Sequence, residues 1–181
     1  PVAFFVLDFA SEIVFAGDSG TTGPSRPSQR IGVEWTNHYQ PGPWLLFDVD
    51  LAWTQARFTN DDPVGNFIPG APSFVASAGL ALGEATGWYG GLRLRYFGPR
   101  PLIEDGSVYS NPTPLLSGRL GYLFDNGVRL QLDVFNLLNT QASDIDYYYA
   151  SQLRNESSPV NDVHFHPVEP LAFRVTMMKY F

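Results

Sequence analysis

The sequence predicts an all-β chain. About eight antiparallel, up-and-down strands cross a membrane as part of a β-barrel wall. Three observations carry this expectation. Apolar and polar residues alternate with period two in segments of 9–11 residues or more, longer than the usual 5–6 of globular sheets and long enough to cross a bilayer at a tilt. The links between segments alternate strictly between long and short. Aromatic residues sit near the ends of the apolar faces, where a barrel carries its girdles.

The strands follow in order. The first covers 2–16 and the second 30–39. In the third, Leu45, Phe47, Val49, Leu51 and Trp53 share one face, and Asp48, Asp50 and Ala52 the other. The fourth covers 74–83. In the fifth, Trp88, Leu92, Leu94 and Tyr96 oppose Tyr89, Arg93 and Arg95. The sixth covers 115–124. In the seventh, Val128, Leu130, Leu132 and Val134 oppose Arg129, Gln131 and Asp133, and in the last, 171–181, Phe173, Val175 and Met177 oppose Arg174 and Thr176. Only a strand places i and i+2 on one face in this way.

The links 17–29, 59–73, 98–114 and 136–170 are long. The links 40–43, 84–87 and 125–127 are short and rich in Pro, Gly and Asn, the residues of tight hairpins. All long links therefore leave on one side, as extracellular loops do in outer-membrane barrels. Trp88 and Tyr96 are eight residues apart on one apolar face, which at a tilt spans roughly 20 Å.

Charge is confined to the polar faces: Asp8, Glu12, Glu34, Asp48, Asp50, Arg93, Arg95, Arg119, Arg129, Asp133 and Arg174. A charge facing lipid costs about 2–4 kcal/mol at mid-membrane, so the polar face is expected to be the lumen. The exception, Lys179, stands near the chain end, where it can snorkel to headgroups. Acids dominate Asp8 to Asp50, and arginines dominate Arg93 to Arg129. Between them the fourth strand offers only Ser77, Gly79, Ala81 and Gly83. Arg93 and Arg95 are expected to lean across that gap towards Asp48 and Asp50, in ion pairing or plug docking rather than substrate selection.

Composition excludes other classes. With 11 Lys+Arg against 18 Asp+Glu, the 181-residue chain carries a formal charge of -7, which argues against nucleic acid as a partner. The absence of cysteine excludes disulfides and thiol chemistry. No nucleophile elbow, phosphate loop or dinucleotide fingerprint is present, so neither an enzymatic activity nor a cofactor is expected. The chain opens on Pro1 without a basic, apolar leader and reads as a segment of something longer.

The stretch Gly127-Val-Arg-Leu-Gln-Leu-Asp-Val-Phe-Asn-Leu-Leu-Asn139 resembles the penultimate strand of TonB-dependent outer-membrane receptors. Asp144-Ile-Asp-Tyr-Tyr-Tyr-Ala-Ser151, Val163-His-Phe-His-Pro-Val-Glu-Pro170 and the final strand resemble one branch of that family. Gly17-Asp-Ser-Gly-Thr-Thr-Gly23, Arg30-Ile-Gly-Val-Glu34 and Tyr96-Phe-Gly-Pro-Arg-Pro-Leu102 resemble its barrel. Two departures stand out: Leu171 where the family has Arg, and the ending Lys179-Tyr180-Phe181 where aromatic–Arg–Phe is common.

The resemblance implies that 1–181 is the C-terminal part of a 22-stranded barrel whose plug domain is absent. It implies a bacterial outer-membrane location and uptake of an iron chelate or similar bulky nutrient, energised by the TonB complex through the plug. Outer-membrane lipids and the barrel-insertion machinery, which reads Phe181, would be further partners. The competing expectation is a complete, closed eight-stranded barrel with a structural or adhesive role, recognisable by pairing between its first and last strands.

The link 136–170 is long enough to be functional. Tyr147, Tyr148 and Tyr149 either stack on a ligand at the extracellular mouth or pack the loop onto the rim. His164 and His166 face one way if they lie in a strand and would suit a metal, but the spacing names no third ligand.

Overall fold

The computed structural model describes residues 1–15, 22–83 and 86–179. Phe181, most of the Gly17–Gly23 motif and part of the 84–87 link lie outside the described residues. Among the described residues twelve strands form: β1 (Val2–Phe9), β2 (Ile13–Phe15), β3 (Thr22–Pro24), β4 (Ser28–Gly42), β5 (Leu45–Phe58), β6 (Phe74–Gly83), β7 (Gly87–Phe97), β8 (Thr113–Leu123), β9 (Val128–Phe135), β10 (Ser143–Ser151), β11 (Val160–Pro167) and β12 (Ala172–Lys179). One antiparallel sheet takes eight of them in the order β1-β4-β5-β6-β7-β8-β9-β12, while β2–β3 and β10–β11 pair separately.

The eight expected strands are these eight. Three details change. The segment 2–16 does not run through: β1 ends at Phe9, and Ile13 starts a second hairpin. Glu12 therefore stands off the main sheet. Asp8 pairs with Gln29, in register with Phe4–Val33 and Val6–Ile31, so it shares the apolar face rather than the polar one. It sits at the long-loop end, accepting a hydrogen bond from Gln29 Nε2 at 2.8 Å. Finally, the link 136–170 is itself a hairpin, β10–β11.

The sheet is open. Among the described residues, β1 pairs only with β4 and β12 only with β9, so no first-to-last ladder closes a small eight-stranded barrel. That competing expectation is overturned: closure needs the outer N–H and C=O rows of β1 and β12 to pair with each other, and they do not.

Register runs unbroken from β5 to β9, and the β4–β5 ladder shifts only near its short turn, between Tyr39 and Gly42. The apolar row Leu45–Leu82 through Trp53–Phe74 continues into Ala76–Tyr96, Leu92–Gly118 and Leu120–Leu132. No second layer covers it: Phe4 is 82% exposed, Val175 78% and Trp88 67%. Such a face demands an apolar medium. Trp88, Tyr122 and Phe124 cluster edge-on at the short-turn end, with centroids 5.1 and 4.6 Å apart. Trp53, Phe74 and Tyr96 mark the other end. The buried apolar side chains Ala56, Phe58, Ile68 and Leu102 all lie where the long links meet.

Two glycines shape the polar face. Gly79 sits under an ion pair, and a Cβ there would lie 2.5 Å from Asp48 Oδ1 and 2.6 Å from Arg93 Nη2. Gly121 lies under the Tyr89 ring, and a Cβ there would lie 2.3 Å from Tyr89 Cζ. Tyr89 in turn donates its hydroxyl to Gln131 Oε1 at 3.0 Å. The substitution Gly121→Val is expected to displace the ring and destabilise the sheet by about 1–3 kcal/mol, the usual cost of overpacking. Urea unfolding of the variant in detergent micelles measures this; an unchanged midpoint would contradict it.

Candidate functional site

The long links converge at one end of the sheet, and arginines tie them together. Arg26, closing the first link, donates through Nη2 to the Gly65 carbonyl and to Glu104 Oε2, at 2.9 and 2.5 Å. Its guanidinium lies 3.4 Å from Asp62 and 4.2 Å over the Phe58 ring. One side chain thus joins three links. Arg57 stacks 3.7 Å over Phe67, whose backbone N–H donates to the Glu104 carbonyl.

The β10–β11 hairpin is fixed by a second arginine. Arg100 Nη2 donates to Asp146 Oδ2 at 2.7 Å, and Nη1 to the Asp144 carbonyl at 3.1 Å. The pair is almost dry, with side-chain exposures of 13% and 4%. Thr113 Oγ1 adds a bond to the Ser143 carbonyl. At the hairpin's base Asn136 takes φ 49°, as does Asn139, a conformation that asparagine tolerates better than most residues. Its Nδ2 donates to the Thr140 and Glu169 carbonyls, both at 3.0 Å, while Oδ1 accepts from Thr140 N–H. This clamp gives the Asn136-Leu-Leu-Asn139 motif its physical meaning: one buried side chain closes the turn and holds the returning strand.

Between the first link, the 59–73 link and the hairpin lies a cavity of about 760 Å³, lined by Glu12, Arg30, Ile68, Arg100, Tyr147 and Tyr148 among others. It is large enough for a small-molecule ligand. Glu12 accepts from Arg30 Nη2 at 2.8 Å and from Ser28 Oγ at 2.6 Å. The Arg30 hydrogen bond, opposed by burial and aided by Ser28, holds its carboxyl below the ordinary 4.5.

The sequence candidates divide. Tyr147 and Tyr148 border the cavity. Tyr149 instead stacks flat on His164, with centroids 3.9 Å apart at 13°, and Tyr147 meets His166 edge-on at 6.5 Å. The register places Tyr147 opposite His164 and Tyr148 opposite Val163, so His164 and His166 share a hairpin face with Tyr147 and Tyr149. No group of three His, Asp or Glu among the described residues is arranged to hold a metal ion.

On the polar face, Arg93 grips Asp48 with two bonds, 2.6 and 3.0 Å, over Gly79. Arg95 borders a smaller cavity of about 290 Å³ with Asp144 and Glu169. Neither it nor Asp50 forms an ion pair within the described residues. Arg119 bonds Asp133 at 2.7 Å, and Arg174 reaches the same carboxylate at 3.2 Å. Asp133 is 3% exposed and also accepts from Gln131. Arg129 lies over the Tyr89 ring at 5.3 Å.

Arg26, Arg100 and Asn136 were not among the sequence candidates. For Arg100 and Asn136 the only signal was membership of a family-like motif, Tyr96–Leu102 and Gly127–Asn139; Arg26 had none.

No protein-family model matches the chain, and no curated protein matches its sequence. Solved structures do match its fold. The ferric-catecholate import receptor Fiu of E. coli K12 superposes with a TM-score of 0.71 at 21% identity, over 99% of this chain and 25% of that one. The siderophore receptor PiuA of Acinetobacter baumannii gives 0.67 at 13% identity, over 99% and 26%. The ferric yersiniabactin uptake receptor FyuA of Yersinia pestis gives 0.63 at 21%, over 86% and 24%. The chain spans about a quarter of the length of these receptors, and its fold is that of a segment of their barrel.

Two outcomes follow from the mouth. Removing one member of a buried ion pair leaves an uncompensated charge, at a cost on the order of 3–5 kcal/mol. The substitution Asp146→Ala should therefore free the hairpin and open 143–167 to protease while the sheet stays resistant. Limited proteolysis with mass mapping reads this, and equal resistance in both proteins would refute it. Glu12, with its lowered value, stabilises the β2–β3 corner fully above pH 4.5 and loses that contribution as pH falls through its folded value. Hydrogen exchange of 22–30 should rise on acidification below 4.5, and Glu12→Gln should remove that step.

Proposed function

We propose that the chain is the C-terminal part of the barrel of a TonB-dependent receptor in the bacterial outer membrane. Its parent takes up an iron chelate or a similarly bulky nutrient, and the plug and TonB-binding segment belong to the parent outside these residues. The observation that supports this best is the open, single-layer sheet with one bare apolar face, all of whose long links gather on one side. It suits a wall whose neighbours complete a larger barrel, and the fold likeness to three uptake receptors agrees.

In this reading the chain is not an enzyme. The cavity at the mouth receives ligand against Tyr147 and Tyr148, backed by the Arg30–Glu12 and Arg100–Asp146 pairs. The polar face lines the lumen, where Arg93, Arg119 and Arg174 stand ready to meet the plug. Energy comes from the inner-membrane proton gradient by way of TonB, and Phe181 serves the insertion machinery.

The test is uptake by cells whose only such receptor is the parent protein. Labelled iron chelate should accumulate, and a proton uncoupler should abolish accumulation without abolishing surface binding. Accumulation that survives the uncoupler would refute the reading. Replacing both Tyr147 and Tyr148 by Ala should weaken surface binding about tenfold, in keeping with about 0.5–1.5 kcal/mol per aromatic contact. Tyr149→Ala, which loses only a stack on His164, should leave binding unchanged.

A further inference from the structure

The apolar face is not uniformly filled. Between β8 and β9 it dips into a groove of about 490 Å³, walled by Trp88, Leu120, Tyr122, Leu130, Leu132 and Val175. Gly121 and Gln131, paired across β8 and β9, also line it. Gly90, opposite Leu120, adds no side chain to fill it. The volume falls within the range of small-molecule sites, about 300–1,000 Å³.

Just past the groove's lining, towards the short turn, the same face becomes charged. Below Leu130–Met177 the next apolar-face pair is Val128–Lys179, and Lys179 is the only lysine of the chain. Its ammonium donates to the Asn126 carbonyl in the 125–127 turn, using one of three donors. Asp125, exposed in the same turn, is the residue before Asn126. The Trp88–Tyr122–Phe124 cluster rims this end, where aromatic rings mark the headgroup level. An apolar slot thus lies one register step from a cation, Lys179, and the turn that this cation bonds also carries the exposed Asp125, at the depth of lipid headgroups.

We propose that this groove seats one acyl chain of a membrane phospholipid whose headgroup carries a phosphate and a primary ammonium. The phosphate is held by Lys179 and the ammonium by Asp125. A headgroup with only negative charge would meet Asp125 unfavourably, and a quaternary ammonium has no N–H to give a carboxylate. The inference rests on the membrane location proposed above, but concerns one lipid at one place on the wall.

Native mass spectrometry of the full-length protein in detergent, with dioleoyl phosphatidylethanolamine, phosphatidylglycerol or phosphatidylcholine added in equal amounts, tests it. One phosphatidylethanolamine should be retained, about fivefold more than either other lipid, the factor expected for one charge contact at a lipid surface. Asp125→Asn, in the exposed turn, should erase that preference, whereas Lys179→Gln, at the exposed end of β12, should lower retention of all three lipids, since each carries a phosphate. Leu130→Trp, which fills the groove, should lower retention of all three lipids. Equal retention of the three lipids by the unmodified protein, an undiminished preference in Asp125→Asn, or undiminished retention in Lys179→Gln would overturn the proposal. Membrane fractionation of the same cells separates the two readings: protein found in the outer membrane with no lipid preference defeats the lipid site alone.

Discussion

A single layer of strands has to satisfy two different surroundings at once, and register is the only means it has of doing so. Every side chain of β5 through β9 faces either the apolar or the polar side, and a slip of one residue would exchange them all. The cross-strand charges make the slip expensive. Arg93–Asp48 reaches across β6 from β7 to β5, and Arg119–Asp133–Arg174 joins the neighbouring strands β8, β9 and β12. The arginines are about half exposed, so each pair by itself adds about 0–1 kcal/mol. Moved to the apolar face by a slip, each charge would cost about 2–4 kcal/mol at mid-membrane. These pairs therefore act mainly as keys to the register and only slightly as bonds. Gly79 fits this role, since a larger residue would stand where the Arg93 and Asp48 side chains meet.

Because neither face is covered, the sheet has no core of its own, and burial is displaced to the end where the links meet. Phe58 and Ile68 are buried there, beneath the Arg26 bridge and beside the Arg57–Phe67 stack. The hairpin β10–β11 is held by directed bonds: Arg100 to Asp146 on its flank, Thr113 to Ser143 at its start, and Asn136 at its root. Two kinds of stability coexist in one chain. The wall is held by a continuous ladder, the mouth by a small number of buried polar contacts, each of which matters singly.

This division explains what could be read from the sequence. Strands with one apolar and one polar face, such as Leu45–Phe58 and Val128–Phe135, declare both their type and their orientation. In β1 the residues Val2, Phe4 and Val6 alternate with Ala3, Phe5 and Leu7, so both faces are apolar and the pattern cannot say which way Asp8 points. The hairpin β10–β11 mixes tyrosine, histidine and aspartate on its strands, so period two carries no signal there and the segment reads as a loop. The Arg93–Asp48 bridge was legible because the strand between them is lined by small residues. Arg100–Asp146 was not, because two links 46 residues apart meet only through the tertiary fold.

Several of the chain's carboxylates are taken up in the framework of the mouth. Arg26, Arg30 and Arg100 each reach a carboxylate contributed by another segment: Glu104 and Asp62, Glu12, and Asp146. A guanidinium carries five donors, and a half-buried one needs more than a single acceptor, which is why carbonyls of Gly65 and Asp144 join in. Carboxylates that serve in this way are part of the framework and are not free to select a charged ligand. What the framework leaves to face the cavity is largely aromatic and aliphatic, Tyr147, Tyr148 and Ile68. Recognition there would rest on shape and ring contact, with the ion pairs behind it keeping the walls in place.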